Sequence, residues 1–129
     1  MKTLFCIIAL TGMALAQSRA PSSCPIVAQR AAVNATGNGD NTLIAAQAKK
    51  IVVWQWFFVN THATQDENLT LKEGSTAISG AYLLKAAGGS HTAPCTGTPW
   101  AIMPIGSAFV LNESAAGSIQ GTVYFTLEN

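Results

Sequence analysis

The chain has 129 residues, room for one domain with a single core and too little for two well-buried ones. Hydrophobic residues make up 49% and charged ones 10%, which excludes a disordered polyelectrolyte. Seven basic against six acidic residues give a formal charge of +1, so nothing points to nucleic acid.

Residues 1–16 read as an export signal. Lys2 gives a positive start, Leu4 to Ala16 is mostly apolar, and Ala14-Leu15-Ala16 is a small-x-small cleavage pattern. The competing reading is a hydrophobic arm that stays attached and packs on a partner. Cleavage would remove Lys2 and leave the mature chain formally neutral, with no span long enough to cross a membrane. It would also remove Cys6 and leave Cys24 and Cys95, an even number in an oxidising compartment, for which a disulfide is the natural expectation. Closing a loop of about 70 residues contributes on the order of 4 kcal/mol in the chain-entropy model. Two unpaired buried thiols are the alternative.

Residues 17–25 are rich in Ser and Pro and read as a linker, with the domain running from 26 to 129. From Ile26 onward, β-branched and aromatic runs recur between turn-forming clusters at the spacing of an antiparallel β-sandwich or barrel. Residues Thr42 to Gln47 are expected to form a strand, with a short helix over 42–49 as the rival reading. Leu69 and Leu71, and further on Phe109 and Leu111, alternate with their neighbours and predict two strands with one buried face. The clearest strand is the last, in which Ile119, Gly121, Val123, Phe125 and Leu127 form one face. Turns are expected at Gly37–Asp40, Glu73–Ser75, Gly88–Ser90 and Ala116–Ser118.

Lys50 to Asn60 breaks the alternation. Strict period two puts Ile51, Val53, Gln55, Phe57 and Val59 on one face and Val52, Trp54, Trp56 and Phe58 on the other, so both faces are largely apolar. A sandwich strand has one core face, so the second needs a cover: another protein chain, the amino-terminal segment, or the long stretch from Gly88 to Gly106 folding back. Trp54, Trp56, Phe58 and Trp100 are therefore the candidate binding residues, since exposed aromatics anchor protein interfaces or stack on sugar rings. Core packing is the competing reading of the same residues.

Nothing in the sequence carries catalysis: it has no G-x-S-x-G elbow, no H-E-x-x-H and no phosphate-cradling glycine loop. The chain is read as a non-enzyme. His62, His91 and Cys95 lack a fourth ligand for zinc, so no metal or other cofactor is expected. Asp66, Glu67 and Glu73 read as solvated loop charges. Asn34, Asn68 and Asn112 each begin a glycosylation triplet, a pattern that chance supplies in a chain this rich in Asn, Ser and Thr.

Several stretches, taken in order, carry a resemblance: Asp40 to Ala46, Lys49 to Val53, Lys72 to Gly80, Leu84 with Ala86–Gly89, Pro99-Trp100, Phe109 to Asn112, and Gly121 to Tyr124. Over about two thirds of its length the chain resembles small bacteriophage structural proteins, virion-decorating or fibre-associated β-sandwich domains. The resemblance implies a single jelly-roll-like sandwich with a structural role, docked on a capsid, a fibre or further copies of itself as a homo-oligomer. An export signal and a disulfide fit a secreted protein better than such a cytoplasmic assembly. The second expectation is therefore an extracellular, disulfide-stabilised binding module with carbohydrate as its leading ligand. The localisation expected is a virion or the extracellular space.

Overall fold

The computed structural model describes residues 24–25 and 28–129, so the leader read at 1–16 and nearly all of the linker lie outside the described residues. Ten strands follow in order: β1 (Gln29–Ala35), β2 (Gly39–Ile44), β3 (Lys50–Asn60), β4 (Glu67–Glu73) and β5 (Thr76–Ala77), then β6 (Tyr82–Leu84), β7 (Ser90–Ala93), β8 (Ala101–Met103), β9 (Phe109–Glu113) and β10 (Ile119–Glu128). No helix forms among the described residues. The strand expected over 42–47 runs instead from Gly39 to Ile44, so the second half of the Gly37–Asp40 turn signal belongs to the strand.

The strands form two antiparallel sheets packed as a β-sandwich. The first has the order β1-β10-β3-β7, with β8 also on β3; the second has β2-β9-β4-β5, with β6 also on β4. β7 pairs with Trp56–Val59 and β8 with Ile51–Val53, so two short strands share one flank of β3 end to end. β5 and β6 divide the flank of β4 in the same way. The stretch from Gly88 to Gly106 thus extends a sheet edge through β7 and β8 and does not fold back over a face.

One core lies between the sheets. Ile51, Val53, Trp56, Phe58, Val123 and Phe125 meet Leu69, Leu71, Leu84, Phe109 and Leu111 there. The alternation read from β4, β9 and β10 holds, because side chains of period two must divide between core and solvent. Gly74, at φ 53°, turns the chain between β4 and β5, a conformation that costs a residue with a Cβ more than it costs glycine.

β3 does not follow strict period two. Tyr124 faces Gln55 and Phe125 faces Val53, which leaves Trp54 as the extra residue of a β-bulge. Ile51 and Val53 therefore share the core with Trp56 and Phe58, and Trp54 and Gln55 together take the outer side. The core face of β3 comes in two halves joined by the bulge, and Val52, Trp54, Phe57 and Val59 leave its outer side largely apolar as well.

The β1–β2, β3–β4, β6–β7 and β9–β10 connections gather at one end of the sandwich. There Asn60, the last residue of β3, pairs with Ile119, which pairs with Ala35. In the second sheet Glu113, the last residue of β9, lies between Gly39 and Leu69.

Candidate functional site

The outer face of the first sheet is the more apolar of the two outer faces. Val52, Trp54, Gln55, Phe57 and Val59 of β3 point to it, flanked by β10 and by the short strands β7 and β8. Phe57 is 41% exposed, between Thr122 on β10 and Thr92 on β7. Ile102, 55% exposed, lies beside Val52. Trp54 is half-buried, and its indole N–H donates to Thr126 Oγ1 at 2.9 Å. Thr126 is itself the cross-strand partner of Val52, so the ring is tied down along the sheet surface.

The outer face of the second sheet carries Leu83, 55% exposed opposite Asn68, beside a polar network. Lys72 Nζ donates to Asp40 Oδ2 at 2.6 Å, and Asn112 Nδ2 donates to Asp40 Oδ1 at 2.6 Å. The Lys72 hydrogen bond, then that of Asn112, holds the Asp40 carboxyl below its usual value of 3.8.

Of the four aromatic candidates, two are corrected. Trp56 and Phe58 are core residues, 3% and 0% exposed, with rings stacked at a centroid distance of 6.2 Å. The bulge at Trp54 turns them inward. Trp100 remains at the surface, 46% exposed. Its ring meets Trp56 edge-on at 5.5 Å, and its indole N–H donates to the Pro94 carbonyl at 2.8 Å. Trp100 is therefore a fixed platform, packed on one side and wet on the other.

Cys24 and Cys95 form the expected disulfide, with Cα atoms 5.6 Å apart and a sequence separation of 71. Cys24 precedes β1, on one flank of the first sheet, and Cys95 follows β7, on the opposite flank. His62 and His91 have other partners: His62 Nδ1 accepts from the Gln65 amide at 3.0 Å, and His91 stacks on Tyr82 with centroids 4.1 Å apart. Among the described residues, no group of three or more His, Cys, Asp or Glu is placed to hold a metal ion.

A second cluster, missed in the sequence, lies buried at the end where the connections gather. Asp66 is exposed and salt-bridged to Lys85 at 2.6 Å, but Glu67 is 0% exposed and Glu113 is 1% exposed, so Glu67 is no solvated loop charge. Asn60, also fully buried, donates to the Gln65 and Leu84 carbonyls at 2.7 and 3.2 Å and accepts from the His62 amide at 2.9 Å. Asn41 donates to Glu113 Oε1 at 3.3 Å and also lines an open groove of about 250 Å³ between β1 and β2. Burial, then the neighbouring Glu67 charge, pushes the Glu113 carboxyl up to about 7, against the Gly117 amide, which faces it and lowers it.

No family model, curated protein or solved structure matches the chain. No helix among the described residues is long and apolar enough to cross a membrane.

Proposed function

We propose that this is a non-enzymatic structural domain that seats on a repeating protein assembly, such as a virion surface, through the outer face of its first sheet and as a homo-oligomer. The observation that carries the reading is the contrast between the two outer faces. Phe57 and Ile102 stand in water beside Trp54 and Val59 on one, while on the other the exposed Leu83 stands beside the polar network of Asp40, Lys72 and Asn112. Large apolar side chains grouped on one face are the usual mark of a contact surface, because docking removes them from water at about 25 cal/mol per Å².

The strand order supports a jelly-roll reading. If β5 with β6, and β7 with β8, each count as one broken strand, the sheets become β1-β10-β3-β7/β8 and β2-β9-β4-β5/β6. That is the order made by two interlocking Greek keys, an architecture shared by capsid and lectin domains. Fold alone does not assign the role, which rests on the exposed face.

Sedimentation across a concentration series tests the proposal. The wild-type chain is expected to self-associate, and Phe57→Lys with Ile102→Lys to give a monomer of unchanged circular dichroism. A wild-type chain that stays monomeric at every concentration overturns the homo-oligomer.

The disulfide and Trp100 favour a second reading, a secreted binding module for carbohydrate. Trp100 follows Cys95 by five residues and offers a ring fixed on one side, as sugar stacking requires. A glycan array read with wild type and Trp100→Ala separates this from the first reading: signal lost in the variant supports it, and an array without signal removes it.

A further inference from the structure

Glu67 and Glu113 lie on neighbouring strands and face the same way. Glu113 pairs with Leu69, and Glu67 stands two residues before Leu69, a diagonal that long side chains span. Each carboxyl has one satisfied oxygen: Glu67 Oε2 accepts from the Ala115 amide at 3.3 Å, and Glu113 Oε1 from Asn41 Nδ2 at 3.3 Å. The other two oxygens, Glu67 Oε1 and Glu113 Oε2, are buried without a partner. Two bare carboxylates side by side without water repel each other and leave both lone oxygens unsatisfied; one proton between them relieves both costs.

We propose that Glu67 and Glu113 hold a single proton between their unpartnered oxygens, and that this proton latches the turn at residues 114–118 onto the second sheet. The turn carries the chain from β9 in the second sheet to β10 in the first. Glu67 is its floor. The Ala115 amide bonds to the carboxyl, and Gly117 lies so close that a Cβ there would stand 2.6 Å from Glu67 Cδ. Ser114 and Asn68 bond to each other, and Ser118 accepts from the Thr61 amide at 2.8 Å. Losing the proton puts two negative charges under this turn.

No positive charge faces the pair from the surrounding strands among the described residues. β2 presents Asn41 and turns Asp40 outward onto Lys72; β3 presents Asn60, and β6 presents Tyr82 and Leu84. β1 and β10 end there in Ala35 and Ile119. Lys85 is outside, on Asp66, and His62 caps the Gln65 amide. On β4 itself, Glu73 is at the far end of the strand.

The Glu113 carboxyl, raised from 4.5 to about 7, sets the window. Between those values the folded chain keeps a proton that the unfolded chain has released, so raising the pH favours unfolding; above about 7 the effect is complete.

The test is unfolding of the full chain against pH for wild type, Glu113→Gln and Glu67→Gln, with infrared spectra and amide exchange at Ala115 and Gly117. The wild-type unfolding constant should rise by about tenfold per pH unit across the window. It should show a protonated-carboxyl band below the upper end of the window, and faster exchange in the turn above it. Glu113→Gln should lose the slope and the band, and Glu67→Gln, which removes the shared partner but not the burial of Glu113, should shift the window to lower pH. An unchanged slope in both variants overturns the proposal, as does a slope that calcium removes at constant pH, which would make the occupant a cation. Should neither variant fold, the wild-type spectrum decides alone, because absence of the band overturns the shared proton.

Discussion

Trp54 and Thr126 are joined across the outer face of the first sheet by a 2.9 Å hydrogen bond from indole nitrogen to hydroxyl oxygen. The bond fixes the bulge residue of β3 against β10 and holds its ring along the surface beside Val52. Thr126→Val keeps the shape and removes the acceptor, and water can reach part of the indole, so it should cost about 0.5–1.5 kcal/mol. Denaturant unfolding reads the cost; tryptophan emission should shift toward the red as the ring loosens.

Trp56 and Phe57 are adjacent in sequence and opposite in consequence. Trp56→Ala empties a core site and should cost about 3–5 kcal/mol of stability. Phe57→Ser, at a site 41% exposed, should change stability by no more than about 0.5 kcal/mol while weakening self-association. Equal losses of stability in the two variants would contradict the inward turn that the bulge imposes.

Gly121 lies against the Phe57 carbonyl oxygen, where a methyl group has no room. The obstacle is backbone on a central strand, which cannot swing aside as a side chain does. Gly121→Ala should therefore cost about 1–3 kcal/mol, the usual range for overpacking, and thermal unfolding should show it despite the better strand propensity of alanine.

The Cys24–Cys95 bond closes a loop with 71 residues of sequence separation. Cys24→Ser with Cys95→Ser should lower stability by about 4 kcal/mol if chain entropy dominates. Comparing that variant with reduced wild type checks the figure, since the two should unfold at the same denaturant concentration.

In acid two carboxyls with lowered values, Asp40 and Asp66, contribute. Lys72 and then Asn112 lower the first; Lys85 and then the Ala86 amide lower the second. Their folded values lie below the usual 3.8, so the stability they contribute is present above it and is lost as the pH falls through the lowered values. Lys72→Met and Lys85→Met should each flatten the acid limb of a melting curve taken against pH, and added salt should imitate the effect.

The sandwich was legible wherever alternation was regular. In β4, β9 and β10 the residues of one parity are the core residues, and the turns around Gly74 and Gly88 fall where glycine marks them. Glu67 and Glu113 share the parity of Leu69 and Leu71 and of Phe109 and Leu111, so alternation placed them inside, and only their residue type argued for water. Trp54 was not legible. A bulge adds one residue without changing composition, and an apolar strand looks the same with or without it, so Trp56 and Phe58 could be assigned to either face. β7 and β8, four and three residues long, are too short to carry a period.

The broken flanks leave the two sheets with unequal borders. On one side, the stubs β5 to β8 interrupt the ladder before a foreign strand could bond along it; on the other, β1 and β2 offer unbroken runs of seven and six residues. Among the described residues, growth by strand addition is thereby confined to one border. Two copies joined along it would each occupy the edge the other offers, a closed arrangement that does not extend into a fibril.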